Sequence, residues 1–222
     1  MKKNGQGGFD LESDKKRALA LTPVSRETEK RLDVFVDLLL RWQEKINLVA
    51  ESTLPLVWTR HISDSLQLLA LAGGARVWVD LGSGAGFPGI PIACVLANQP
   101  GATVHLVESI GKKANFLCEV VQAIGVPVQV HQERAEKFGE SCAEAVEVVT
   151  ARALSPLKTL CDQVFPFIQR GALGLFPKGQ DVATELTEAA KYWSIQATLV
   201  PSVTNPAGSI VVVRGLQRLR KS

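Results

Sequence analysis

An α/β fold built on a doubly wound, mostly parallel sheet is what this sequence predicts, and three observations predict it. From Arg76 onward, apolar runs alternate with helical patterns, the signature of βαβ units. The first run, Val77–Leu81, contains a carboxylate and leads into Gly82, Gly84, Gly86 and Gly89, after which a helical pattern starts. The last two runs, Ser194–Val200 and Ser209–Val213, are joined by Pro201–Gly208 with no helix between them, so the terminal strand is expected to run antiparallel.

Taken in order, residues 1 to 24 read as a flexible polar tail, with Lys2, Lys3, Lys15, Lys16 and Arg17 set against Asp10, Glu12 and Asp14. Residues 25 to 75 read as an N-terminal helical cap. Ser25 is placed as an N-cap, and Leu32, Phe35, Val36, Leu39 and Ile46 recur at helical spacing. A second amphipathic helix carries Leu54, Val57, Trp58, His61, Ile62, Ser65, Leu66 and Leu69 on one side. The main domain spans 76 to 214. Its strands are Val77–Leu81, Ala102–Glu108, Val126–Val130, Val146–Thr150 and Ala172–Phe176 before the final hairpin. Helices are expected at Ile90–Ala97, around Phe116 to Ile124, around Leu157–Phe167 and at Val182–Trp193. A short acidic and basic segment lies between Val130 and Val146. Residues 215 to 222 read as a basic tail.

The chain has 222 residues, 46% hydrophobic and 21% charged, with a net charge of +3. That size allows one well-buried core, and affinity for nucleic acid must come from local patches. No apolar stretch reaches membrane-spanning length, and a cytoplasmic, monomeric protein is expected. Cys94, Cys118, Cys142 and Cys161 lack a C-x-x-C spacing, His61, His105 and His131 are scattered, and no metal site can be assembled.

The chemistry concentrates at strand ends, where an open α/β sheet binds its ligands. Glycines after the first strand let backbone approach a ligand and present free amides at a helix start. Gly84-Ala85-Gly86-Phe87-Pro88-Gly89 matches the dinucleotide pattern literally, so charge must choose the ligand. Asp80 would repel a pyrophosphate on the loop and attract a sulfonium, which favours S-adenosylmethionine over NAD. Glu108, closing the second strand, suits a ribose diol in either ligand. Arg134-Ala135-Glu136 follows the third strand, and Glu136 is placed to accept from an adenine amino group. Arg152 and Lys178 follow the fourth and fifth strands on the side where a substrate enters. His61 reads either as a buried histidine at a helix contact or as part of a polar cluster at the cofactor mouth. Lys112 and Lys113 at a helix start, where cations are disfavoured, read as ligand-facing or simply solvated. Arg214, Arg218, Arg220 and Lys221 suit phosphate contacts, or form a solubilising end.

An ordered set of segments carries a family resemblance. Asn47-Leu48-Val49, Arg60-His61-Ile62-Ser63-Asp64-Ser65 and Asp80-Leu81-Gly82-Ser83-Gly84-Ala85-Gly86-Phe87-Pro88-Gly89 come first. Glu108-Ser109, Lys112-Lys113-Ala114-Asn115-Phe116-Leu117, Arg134-Ala135-Glu136, Ala151-Arg152-Ala153 and Lys178-Gly179 follow. Together they resemble the RsmG family, formerly glucose-inhibited division protein B. The resemblance implies a class I S-adenosylmethionine-dependent methyltransferase acting on N7 of a guanine in the decoding-region loop of 16S ribosomal RNA, free or in the small subunit. It assigns Gly82, Phe87, Ala135, Glu136 and Arg152 to the cofactor site; Asp80, Ser83, Gly84, Gly86 and Glu108 join them from the strand-end reading. Lys112, Lys113, Arg152 and Lys178 are the substrate-side candidates. Ser83 stands where the family usually has Thr, Ala151 where Ser is frequent, and Pro177 where Leu is common. Guanine N7 carries no proton, so no catalytic base is nominated. Two other readings stand beside this one, an NAD-dependent oxidoreductase and a nonenzymatic RNA-binding assembly factor.

Overall fold

A computed structural model describes residues 10 to 219. Seven strands form one sheet in the order β3-β2-β1-β4-β5-β7-β6. They are β1 (Val77–Leu81), β2 (Thr103–Val107), β3 (Val128–His131), β4 (Val148–Ala151), β5 (Leu173–Lys178), β6 (Trp193–Pro201) and β7 (Ser209–Arg218). The first five are parallel to one another, and β7 pairs antiparallel with both β5 and β6, as the helix-free connection required. Strand order reverses between β1 and β4, which sets the topological switch point beside the glycine loop.

Alternation along β1 explains the two cores. Trp78 joins Phe35, Ile90, Leu106 and Phe116 on one face, under α2 (Arg26–Gln43), α4 (Gly89–Leu96) and α5 (Gly111–Ile124). Val79 and Leu81 join Val149, Phe167 and Val211 on the other, under α6 (Ala135–Ser141), α7 (Leu157–Gln169) and α8 (Val182–Ala189).

The structure departs from the sequence reading in several places, each for a physical reason. Leu11–Leu21 is a helix, α1, where a tail was expected. Its anchor is polar, so hydropathy does not reveal it: the buried Asp14 accepts hydrogen bonds from the backbone N–H groups of Trp58 (2.9 Å) and Thr59 (3.2 Å), from the Thr59 hydroxyl, and from Arg17. Lys15 adds ion pairs to Glu29 (2.8 Å) and Asp33 (2.6 Å) on α2. The second amphipathic helix is one winding path over 51–71 with changing pitch. It makes 3-10 turns at Glu51–Leu56, a π turn at Trp58–Ser63, an α turn, α3, at Asp64–Leu66, and 3-10 turns at Gln67–Leu71. The π turn points Trp58 and Thr59 N–H groups at Asp14.

The acidic and basic segment after β3 contains α6, whose buried side is only Ala135, Phe138 and Gly139, too short a stripe to show as a period. Helix α8 stops at Ala189, and Trp193 opens β6 instead. β7 continues through Gly215 to Arg218, so the expected basic tail begins as a strand; Arg218 pairs with Asp162 and lies over the Trp193 ring. Lys2, Lys3, Arg220 and Lys221 lie outside the described residues. The histidines are less scattered than their numbers suggest. His105 Nδ1 meets His131 Nε2 at 3.0 Å and His105 Nε2 meets Glu144 at 2.8 Å, beneath α6.

Removing the α1 anchor tests this arrangement. Asp14→Ala leaves the Trp58 and Thr59 N–H groups without a buried acceptor, a cost of about 1–3 kcal/mol. Urea unfolding is expected to show that loss, and a change no larger than that of an ordinary surface substitution would mean α1 is not held through Asp14.

Candidate active site

The loop after β1 is held by the strands around it. Gly82 and Ser83 donate their N–H groups to the Val107 carbonyl (2.8 and 3.0 Å), and the Ser83 hydroxyl donates back to the Asp80 carbonyl (2.8 Å). Gly82 and Gly86 are packed from behind by Leu154 and Ile90, whereas Gly84 faces open space. At φ +54° a Cβ on Gly84 would meet nothing nearer than the Gly82 carbonyl oxygen at 3.8 Å. The Gly84 N–H donates to Glu108 Oε2 (2.9 Å), and Glu108 Oε1 accepts from the Ile110 N–H (2.7 Å). Loop and second-strand carboxylate are therefore one hydrogen-bonded unit.

Asp80 does something different from what the charge argument assumed. It is 1% exposed, and its carboxylate accepts from the Gly89 N–H (3.1 Å) and the Thr150 hydroxyl (3.1 Å). Burial pushes its pKa up to about 7. Gly89 must be glycine here, because a Cβ would stand 2.2 Å from Leu106 Cδ2 and 3.0 Å from Asp80 Oδ2. The carboxylate is buried and anchors the loop to α4 and β4, so its sign alone does not choose between sulfonium and pyrophosphate.

Phe87 is likewise turned inward. Its ring packs 5.1 Å from Phe35, stacks on His61 at 4.9 Å and 23°, and lies 5.1 Å from the Arg152 guanidinium. Arg152 donates to the Arg60 carbonyl (3.3 Å) and, through Nη2, to His61 Nδ1 (2.7 Å). A guanidinium has no lone pair to offer, so Nδ1 is the acceptor and Nε2 carries the proton toward Thr53 Oγ1 at 2.8 Å. Burial first, then Arg152 and Arg60, push the His61 pKa down to about 3. His61 is buried, as the first reading had it, and it lines the mouth of a cleft. Thr53 was not singled out by sequence; Asp64 was named only as a neighbour of His61, and its contact with Thr204 comes from far along the chain.

That cleft, about 750 Å³, opens between the 51–71 segment, the residues after β4 and β5, and the β6–β7 connection. Arg152 and Lys178 line it, as expected. Lys178 is not a free cation: it donates to the Ser155 carbonyl (3.0 Å) and pairs with Glu185 (2.8 Å), with only a tenth of its side chain exposed. Lys112 and Lys113 sit on the first turn of α5, away from the cleft wall, with no ion-pair partner among the described residues. Ala135 is buried at the start of α6, and Glu136 accepts from Gln163 (2.7 Å), the bond that most lowers its pKa. Among the described residues no group of three or more His, Cys, Asp or Glu side chains is arranged to hold a metal ion.

A family model described as GidB, rRNA small subunit methyltransferase G, matches residues 28–211. The chain belongs to this family. Relatives named ribosomal RNA small subunit methyltransferase G include one from Bradyrhizobium sp. (strain BTAi1), 57% identical over 208 residues and 94% of each chain. Another, from Nitrobacter winogradskyi, is 53% identical over 93% of this chain and 74% of its own length. Among solved structures, a cofactor-bound protein from MTB superposes with a TM-score of 0.59 at 14% identity, covering 96% of this chain and all of its own. A candidate O-methyltransferase from Klebsiella pneumoniae gives 0.57 at 12% identity, covering 92% and 96%. These last two likenesses speak to the fold, which is that of class I methyltransferases. The family match spans every strand-end residue described above, so the loop–Glu108 unit and the Phe87–His61–Arg152 stack are features of a GidB chain.

Asp80 gives this site a pH signature. Its folded pKa of about 7 lies above the ordinary 3.8, so the protonated form is the one the fold favours. The ionisation-linked part of its contribution to stability is fully present below about pH 4, shrinks as pH rises, and is gone above about pH 7. The unfolding free energy of wild type minus that of Asp80→Asn is therefore expected to fall across that window and level off above it. Denaturant unfolding over a pH series measures this, and a pH-independent difference would mean that Asp80 stays ionised throughout.

Proposed function

We propose that this chain transfers a methyl group from S-adenosylmethionine to N7 of a guanine in 16S ribosomal RNA, acting in the cytoplasm as a monomer. The observation that carries the reading is kinship over nearly the full chain, 57% identity across 208 residues with a relative named ribosomal RNA small subunit methyltransferase G. The strand-end residues fit the cofactor. Gly84 leaves the loop's outer face bare, and Glu108 beside it is an acceptor for a ribose diol. Ala135 and Glu136 at the start of α6 are assigned to the adenine edge, next to the Gly82–Phe87 loop and Ser83. Asp80 is assigned a supporting role through Gly89 and Thr150.

When bound, S-adenosylmethionine supplies a methyl group already activated on a cationic sulfur. Guanine N7 brings a lone pair and no proton, so the protein has nothing to deprotonate before attack. The cleft agrees with this economy. His61 is kept neutral with its free lone pair committed to Arg152, which removes it as a base and makes it a rigid wall. The side chains' work is to hold the base in line and keep water out. Arg152 is fixed at the junction of cofactor loop and cleft, while the exposed Lys112 and half-buried Lys113 at the start of α5 are assigned to the RNA backbone.

Incubation with labelled S-adenosylmethionine and small subunits lacking the modification, followed by mapping of the methylated nucleotide, tests the reading directly. One N7-methylguanine in 16S RNA is the expected product, and label elsewhere or none at all overturns it. Glu108→Gln is expected to weaken S-adenosylmethionine and the demethylated product alike by about ten- to a hundredfold, through loss of charged acceptors. A loss confined to RNA binding would move Glu108 off the cofactor side. Neutralising Lys112 and Lys113 is expected to weaken RNA binding at all salt concentrations and lower its salt slope by about one per lost phosphate contact, with cofactor affinity unchanged. An unchanged slope would return both lysines to the solvated surface.

A further inference from the structure

The cleft wall carries three basic side chains, Arg60, Arg152 and Lys178, against two carboxylates, Asp64 and Glu185. Lys178 and Glu185 cancel one another at 2.8 Å, and the Arg152 guanidinium stands 3.6 Å from Asp64 Oδ2. Among the described residues the wall keeps one unpaired positive charge, on the exposed Arg60, and its paired groups offer a polar edge to a flat, neutral heterocycle. Its volume of about 750 Å³ is ample for one nucleobase and its sugar.

Within this wall Asp64 is unusual in how its two oxygens are used. Oδ1 accepts from Gln67 Nε2 (2.8 Å) and from the Thr204 hydroxyl (2.6 Å). Gln67 is itself fixed, accepting from the Val203 N–H at 2.9 Å. Oδ2 receives no hydrogen bond among the described residues, and it is not sealed from solvent. One oxygen is locked by two donors, and the other, 3.6 Å from the Arg152 guanidinium, has no hydrogen-bond donor among the described residues.

An ionised carboxylate only accepts. Guanine differs from adenine in carrying a 2-amino donor where adenine has none. We propose that Asp64 Oδ2 accepts a hydrogen bond from the 2-amino group of the target guanine, making Asp64 the residue that selects guanine in the cleft. The inference rests on the guanine-N7 reading above and deepens it. The 2-amino group and N7 lie at opposite ends of the purine, so a base held at Asp64 presents N7 away from this wall. Enzymes that modify a base commonly read its Watson–Crick edge in this manner.

The geometry also dictates the test. In Asp64→Asn the carbonyl oxygen is held at the Oδ1 position by the Gln67 and Thr204 donors, so the NH₂ group replaces Oδ2. Shape and the Oδ1 anchoring are retained, while the atom at the Oδ2 position becomes a donor and the charge facing Arg152 is lost. Methyl transfer is measured on RNA bearing guanine or inosine, which lacks only the 2-amino group, at the target position. The unaltered protein is expected to lose about ten- to a hundredfold in kcat/KM on inosine. Asp64→Asn is expected to fall by a similar factor on guanine and to treat the two bases nearly alike, and comparing the two bases within each protein separates base reading from the loss of the Arg152 ion pair. Equal guanine-to-inosine ratios in the two proteins overturn the proposal. Equal rates on both bases by the unaltered protein overturn it without any variant. Absence of transfer to guanine RNA by the unaltered protein is a different result, and it overturns the methyltransferase reading itself.

Discussion

The hydrogen bonds of the buried Asp80 carboxylate hold the site together. One side chain joins the end of β1 to the Gly89 N–H at the start of α4 and to Thr150 on β4. These are the three elements that meet where the strand order reverses. A carboxylate is suited to the task because it accepts from several directions, and a helix start supplies donors without intrahelical partners. The loop between Gly82 and Gly89 is pinned at both ends by this arrangement, and its path leaves Gly84 outermost beside Glu108. The cost is a charge taken out of water, which the raised pKa records.

From that anchored loop the N-terminal helices acquire their place. Phe87 projects from it between Phe35 on α2 and His61 on the π turn, and Arg152, one residue beyond β4, covers the other side of the ring. The helical layer is therefore bolted to the sheet through a ring stack at the cleft mouth. Asp14 fastens the same π turn from behind, by way of Trp58 and Thr59. Substitutions far from the cleft, on α1, act on the site through this path by letting the turn that carries His61 and Asp64 relax.

The sheet was legible in the sequence because each strand is a short apolar run closed by punctuation, and the helix-free stretch Pro201–Gly208 carried the reversal of β7. Glu108 and the glycine loop were legible for the same reason: strand ends converge in any such sheet. What escaped were elements held by polar contacts. Helix α1 depends on Asp14, α6 buries three residues, and Lys178 finds Glu185 on the next helix; none of these leaves a period in the hydropathy. Asp80 was found but misjudged, because a sequence gives the residue at a strand end without saying which way it faces.

Electrostatics then divides the surface into regions with separate tasks. Around the cleft, Lys178 is neutralised by Glu185 and Arg152 is held by His61, the Arg60 carbonyl and Asp64, which leaves Arg60 as the cation of the wall without an ion pair among the described residues. Lys112 and Lys113 stand at the positive end of α5 with no carboxylate paired to them among the described residues. Free cations attract a polyanion at long range and without regard to sequence, whereas a carboxylate oxygen in the cleft wall discriminates only at contact. Keeping the attraction on α5 and the hydrogen-bond geometry around Asp64 lets capture of the strand and choice of the base proceed through different side chains.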